Sequence, residues 1–345
     1  MGRRLPPRAM SDLGACVPRS PRRRAQPPTV AGARTMSAES ISVIIPTHRN
    51  RGFLPATLES VFAQTRLPDE VIVVDDGSTD DTPDRLRELS RRWPVRVVRQ
   101  PNAGVAGARN TGIAAAAGVW IALLDDDDLW PPDKLEWQAA FLRSHPDIGV
   151  VAGLAAFLHH ARGLEEPLPA QLGRLSMEDL LLQNRMFSPG QALLRRTVFD
   201  QVGLFDARLA GADDLDLWLR CVGGPGLWME GRVALHYRMH ATAASTDALM
   251  MLDRCYRTAS RHTRLLPPAR GRELLAGHLQ SLFEFHGRIA VRDLKRRLRK
   301  NPASTESRMA VACILRYAFG CRRRSAFFRK LFQELLPDRF KQGTI

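Results

Sequence analysis

The sequence predicts an α/β fold, a mostly parallel sheet with helices on both faces, followed by a basic helical C-terminal region. Three observations carry that prediction. Short β-branched runs alternate with helical patterns from residue 40 to about residue 145, as in strand–helix–strand units. The strand runs are continuously apolar rather than alternating, which suits strands covered on both faces. Polar residues gather where the strand runs end, and open α/β sheets bind ligands beyond the carboxyl ends of their strands.

Residues 41–46 form the first expected strand, followed by a helix over about 52–64. A second strand covers 70–75, and a helix over 79–92 begins at Ser78, Thr79 and Asp80, which offer capping oxygens. A third strand at 95–99 leads to an alanine-rich helix at 104–117. The fourth, 119–124, runs into Asp125-Asp126-Asp127-Asp128. Beyond this point regularity weakens. A helix is expected at 133–144, a strand or pair of strands at 148–158, further strands at 191–195 and 232–237, and a helix over about 214–222. From residue 247 onward the pattern is helical and basic.

The chain of 345 residues is long enough for one α/β domain of about 200–250 residues plus a tail. Its net charge of +15 is concentrated at the ends. Residues 1–35 hold eight arginines against Asp12 alone, and residues 288–345 hold sixteen Lys and Arg against four acids. The middle is therefore slightly acidic, and with no recognised nucleic-acid motif this argues against a nucleic-acid partner. Cys16, Cys221, Cys255, Cys313 and Cys321 lie far apart without a CxxC pair, as expected of reduced thiols in a cytoplasmic protein. No apolar run reaches the roughly 18–20 residues needed to cross a bilayer, and no apolar stretch follows the arginine-rich N-terminus as in a secretory signal. Residues 1–38, rich in Pro, Arg and Ser, read as a disordered basic tail; Met36 is an alternative start.

Four consecutive carboxylates repel one another, so a solvated acidic loop is one reading. Here the run follows the apolar Ile121-Ala122-Leu123-Leu124 and precedes Leu129-Trp130. Charge placed at the end of a buried strand calls for a compensating cation, and hard oxygen ligands favour Mg²⁺ or Mn²⁺. A metal held by one or two carboxylates suits the clamping of a diphosphate. A second cluster, Asp213-Asp214-Leu215-Asp216, opens a helix. Its acids suit capping and the helix dipole, and equally a general base facing a cleft.

In order, Ser42–Thr47, Val73-Val74-Asp75-Asp76-Gly77-Ser78, Asn102–Gly112, Leu124–Asp128, Val202–Asp206, Asp213–Arg220 and Tyr237-Arg238-Met239-His240 resemble the inverting glycosyltransferases of family 2, which have the GT-A fold. The resemblance covers about residues 40–245. It implies a GT-A domain at 39–245, with a nucleotide-binding half at 39–130 and an acceptor-binding half at 131–245, followed by the basic helical region at 246–345. It also implies roles. Pro46, Thr47 and Asp76 would hold the nucleotide, with Asp75 nearby. Asp125 and Asp127 match the family's Asp-x-Asp, Asp125 toward the ribose and the metal and Asp127 on the metal, with Asp126 able to replace the first. Arg109 would offset phosphate or aspartate charge. Asp214 would be the catalytic base, with Asp213 and Trp218 toward the acceptor. His240 would be a late metal ligand, a purely structural histidine being the alternative.

The implied activity is inverting transfer from a nucleoside-diphosphate sugar, UDP- or dTDP-linked, to a hydroxyl of a saccharide or lipid-linked acceptor. Its setting would be bacterial surface polysaccharide or glycoconjugate synthesis. Two departures stand out: Asp213 replaces the usual Glu of the Glu-Asp pair, and His48-Arg49-Asn50 replaces the usual Tyr-Asn-Arg. A nucleotidyltransferase should carry a Gly-rich basic loop after the first strand, where this chain has Pro46-Thr47-His48-Arg49. A non-catalytic scaffold of the same fold should have lost one of the acids. The mixed aromatic and basic stretch at 316–332 admits two readings, contact with an anionic membrane surface on the cytoplasmic face or packing on the core.

Overall fold

A computed structural model describes residues 37–49, 52–159, 162–240, 248–301 and 304–320. The tail expected at 1–38 lies outside these residues except for Ser37 and Ala38. The aromatic–basic stretch lies outside them beyond Gly320.

The strands are β1 (Ile41–Thr47), β2 (Glu70–Asp76), β3 (Arg96–Gln100), β4 (Trp120–Leu123), β5 (Val150–His159), β6 (Gly163–Leu164), β7 (Gly173–Arg174), β8 (Ala192–Arg195) and β9 (Leu227–Met239). Eight of them pair in the order β3-β2-β1-β4-β8-β5-β9-β7, with β6 hanging from β5. The β3-β2-β1-β4 portion is wholly parallel, and β5 and β9 pair in parallel over a long ladder; β8 joins the two parts antiparallel. This is the mostly parallel sheet expected.

Helices α1 (Leu54–Phe62), α2 (Thr82–Arg92) and α4 (Lys134–Ser144) cover one face, packing against Ile41, Val43, Ile45 and Val73. On the other face lie α3 (Gly104–Ala115), α5 (Met177–Leu182), α6 (Thr197–Val202) and α7 (Asp213–Val222), packed on Ile44, Ile72, Val74 and Ile121. Alternate residues of β1 thus feed opposite cores, as the pleat requires. Helices α8 (Ala248–Thr263), α9 (Pro268–Lys300) and α10 (Thr305–Gly320) form the C-terminal region. They share a core of Leu249, Leu252, Phe283, Val291 and Ile314.

The helix expected at 79–92 starts three residues later, because Asp80 spends its carboxylate on the backbone N–H of Thr82 and Pro83 occupies the first turn. Two-residue β6 and β7 and six-residue α5 and α6 were not expected; they are too short to leave a periodic signal. Cys221, Cys255 and Cys313 are buried, and the other two cysteines lie outside the described residues. Among the described residues no helix is long and apolar enough to cross a membrane.

Candidate functional site

The carboxyl ends of β1, β2 and β4 meet the first turns of α3 and α7. Strand β1 ends on Pro46-Thr47, an odd place for proline in a central strand. The carbonyl of Ile44 accepts from Leu124, so the edge of Pro46 faces the same neighbour, but the β1–β4 ladder has already stopped at Ile44–Leu123. No ladder bond is lost. Thr47 then turns its hydroxyl to Oδ2 of Asp126.

On β2, Asp75 and Asp76 project to opposite faces. Oδ1 of Asp75 accepts from the Ser78 N–H (2.9 Å), and Arg99 Nε lies 3.3 Å from Oδ2. Oδ1 of Asp76 accepts from Gln100 Nε2 (2.7 Å) and from the Ala103 N–H (2.8 Å), which fastens the loop leading into α3. Gly77, at φ +75°, permits this closure: a Cβ there would stand 2.7 Å from the Asn102 nitrogen. The Arg49 N–H donates to Ser78 Oγ (2.9 Å), and His48 Nε2 lies 3.3 Å from Asn102 Nδ2. The loops after β1, β2 and β3 are thereby tied into one shelf.

The four aspartates, which the sequence presents as one patch, have four different environments. Asp125 accepts from Arg109 Nη2 at Oδ1 (2.6 Å) and from the Ser188 hydroxyl at Oδ2 (3.1 Å). Asp126 is bonded to Thr47. Oδ2 of Asp127 lies 2.8 Å from His240 Nε2. Asp128 is buried and accepts from the Arg238 N–H (2.9 Å). Burial and the charge of Asp125 push the Asp127 carboxyl up against the opposing pull of His240. Burial and the charges of Asp127 and Asp125 push Asp128 up further.

Arg109 holds the site together. Only 5% exposed on the inner face of α3, it donates to Asp125 and, through Nη1, to Oδ2 of Asp213 (2.9 Å). Burial alone would lower the guanidinium's pKa; the two carboxylates reverse this and raise it. The Phe205 ring lies 5.5 Å beneath it. Asp213 uses its second oxygen on the Gly211 N–H (3.0 Å). Asp214 accepts from the Leu215 N–H (2.7 Å) and is half-buried. Burial first, then the charge of Asp213, pushes its carboxyl up to about 7, with Arg109 pulling the other way.

Two expectations change here. Trp218 is fully buried in the core beneath α7, and both oxygens of Asp213 are bonded within the protein, so neither side chain is presented to an acceptor. Asp125 has a hydrogen bond on each oxygen, from Arg109 and from Ser188, so it also ties α3 to the turn before β8. The sequence carried no signal for Ser188, which bonds Asp125 from the turn before β8. Nor did it signal Phe53, whose ring sits 5.0 Å from His240 with the Arg238 guanidinium 4.7 Å away.

Asp127 and His240 place a carboxylate oxygen and an imidazole nitrogen side by side, next to the carboxylates of Asp125 and Asp128. That donor set fits Mn²⁺ or Mg²⁺. Among the described residues no group of three His, Cys, Asp or Glu side chains converges to hold an ion, so two protein ligands would leave positions for a diphosphate.

Residues 42–203 match the family model described as glycosyl transferase family 2. A glycosyltransferase of PGL/p-HBAD biosynthesis from Mycobacterium bovis is 31% identical over 56% of this chain and 73% of its own length. An uncharacterized glycosyltransferase of Haemophilus influenzae is 30% identical over 54% of this chain, and there the match spans 63% of the relative. Staphylococcus aureus TarS 1–349, solved with UDP-GlcNAc, superposes with a TM-score of 0.60 at 19% identity, covering 83% of this chain and 82% of TarS 1–349. The mannosyltransferase PcManGT of Pyrobaculum calidifontis, solved with GDP-Man and Mn²⁺, gives 0.54 at 18% identity, covering 88% and 82%. With that ordered set of motifs on a GT-A type sheet, the chain belongs to glycosyltransferase family 2.

Proposed function

We propose that the chain is a metal-dependent inverting glycosyltransferase using a UDP- or dTDP-linked sugar, with a hydroxyl of a saccharide or lipid-linked molecule as acceptor. The observation that carries this is the Arg109 bridge, which brings the acidic run and the Asp213-Asp214 pair, distant in sequence, into one buried cluster. Pro46, Thr47 and Asp76 line the shelf for base and ribose, and Asp75 stiffens it. Asp126, bonded to Thr47, lies between shelf and metal. Asp127 and His240 would hold the ion, which when bound would supply positive charge for the departing diphosphate. The acceptor oxygen forms its bond to the anomeric carbon as the bond from that carbon to the diphosphate oxygen breaks. The electron pair leaves with the diphosphate, and the acceptor proton passes to the Asp214 carboxylate. One displacement inverts the anomeric centre.

The UDP-GlcNAc complex of TarS and the Mn²⁺ complex of PcManGT support the donor class and the ion. The M. bovis relative supports a role in bacterial glycoconjugate synthesis. A cytoplasmic enzyme, peripheral on the membrane's inner face, accords with the basic C-terminal region. The test is calorimetry with UDP and dTDP. Binding is expected only with Mn²⁺ or Mg²⁺ present and lost in Asp127→Asn; tight metal-independent binding, or none to either nucleotide, sinks the proposal. Asp214→Asn should keep that binding and abolish turnover.

A further inference from the structure

Helix α7 carries a third buried acid that the proposed transfer does not use. Asp216, only 1% exposed, lies in the same first turn as Asp213 and Asp214. Its Oδ2 accepts from Arg220 Nε (2.9 Å), and its Oδ1 lies 2.8 Å from Nε2 of His262, a buried residue of α8. Burial alone would raise the Asp216 carboxyl; the imidazole's hydrogen bond and the charge of Arg220 outweigh it and hold the group ionised. The imidazole is therefore the donor.

Arg220 extends the contact. Its Nη atoms donate to the carbonyls of Val202, Gly203 (3.1 Å) and Leu204 (3.0 Å), closing the end of α6 and the turn after it. That turn leads directly to Phe205, whose N–H and C=O are both bonded by the Asn110 side chain and whose ring underlies Arg109. A continuous series of contacts thus runs from α8 through Asp216, Arg220 and the 202–205 turn to the arginine joining Asp125 and Asp213. Helix α8 also approaches the base itself: burial and the charge of Asp214 push the Cys255 thiol up to about 12.

We propose that His262 and Asp216 are positioning residues, through which the C-terminal helices fix the first turn of α7 and the 202–205 turn and so aim Asp214. This rests on Asp214 being the base. A buried hydrogen-bonded pair is well suited to such a task, since removing the imidazole deprives a buried carboxylate oxygen of its closest donor.

The test uses the full chain with His262→Ala, His262→Gln, Asp216→Asn and Asp214→Asn. Glutamine can place an amide N–H where Nε2 stood. Four readouts apply: thermal unfolding, UDP affinity with Mn²⁺, turnover of the UDP- or dTDP-sugar that the wild type hydrolyses fastest with Mn²⁺, and hydrogen exchange of amides 203–217. His262→Ala and Asp216→Asn should lower kcat about tenfold or more, leave UDP affinity within about threefold and speed exchange at 203–217. His262→Gln should stay within about threefold of wild type.

Folded His262→Ala with wild-type kcat and exchange overturns the inference, as does a parallel loss of UDP affinity. Should His262→Ala not fold, Asp216→Asn decides by the same readouts against His262→Gln: a selective kcat loss in the first alone supports the inference, and wild-type behaviour in both overturns it. If Asp214→Asn retains turnover, or the wild type hydrolyses no donor, the base assignment is what has failed. The exchange data then decide the coupling alone.

Discussion

Asp214 sits half-buried beside Asp213, where losing its proton is costly, and that has a kinetic and a thermodynamic consequence. A general base works as the carboxylate, so kcat/KM should rise with pH through an inflection near 7, set by burial and the charge of Asp213. A flat profile from pH 5.5 to 8.5 would count against Asp214 as base. The folded state also binds this proton more tightly than the unfolded chain. The stabilisation is therefore complete below the ordinary carboxylate range and lost as pH rises through about 7. Asp214→Asn should stabilise the protein above pH 7 by roughly 1–3 kcal/mol and gain nothing near pH 4, as thermal unfolding at the two pH values would register. Arg109 has the converse role. Arg109→Ala leaves Asp125 and Asp213 facing each other without a cation and should cost about 3–5 kcal/mol in denaturant unfolding. Arg109→Lys keeps the charge but cannot span two carboxylates with a fixed fork, so it should retain most stability and lose turnover at least about tenfold.

Arg109 can reach inward only because α3 lies close on β1. At Gly112 an added Cβ would come 2.2 Å from Ile44 Cγ2, inside the core. Gly112→Ala should therefore destabilise by about 1–3 kcal/mol through overpacking, despite alanine's better helix propensity. Gly112→Ala with Ile44→Ala should lose less than the two single changes added together, a coupling that denaturant titration of the cycle would measure. Packing of this kind explains what was legible beforehand. The parallel strands, α1 to α4 and α7 follow from apolar runs and helical periodicity, because β1, β2 and β4 are buried throughout and α1, α3, α4 and α7 each bury several residues along one side. Pro46, Thr47, Asp75 and Asp76 could be placed at strand ends for the same reason. The separate environments of Asp125 to Asp128 could not, since each is set by a partner remote in sequence: Ser188, Thr47, His240 and the Arg238 amide. Trp218 was misplaced because helical spacing alone does not tell a cleft-facing ring from a core ring, and here it lies in the core.

At the scale of the whole molecule, charge and apolar surface are divided between regions. The net +15 resides in the ends of the chain, while the acids at the carboxyl end of the sheet are internally bonded. Helices α8, α9 and α10 share an apolar core, α8 and α9 also pack on the sheet domain through Cys255, Ala259 and Leu274, and Ile289, Met309 and Leu315 stand exposed among the charged residues. Along α9, Arg292, Arg296, Arg299 and Lys300 are exposed, and residues 288–345 carry sixteen basic groups against four acids. Basic residues gathered in this way draw a surface to anionic lipid by electrostatics, at about 1 kcal/mol per basic residue near the headgroups. Such attraction is screened within about 10 Å at 0.1 M salt and more steeply above it. The protein should therefore sediment with vesicles of phosphatidylcholine mixed with phosphatidylserine, not with phosphatidylcholine alone, and should be released by about 0.5 M NaCl. Equal binding to both vesicle types, or salt-resistant binding, would point to apolar insertion. No binding to either would leave packing as the sole role of the C-terminal helices and a soluble saccharide as the better acceptor. Charge-dependent binding would favour a lipid-linked acceptor over a soluble one.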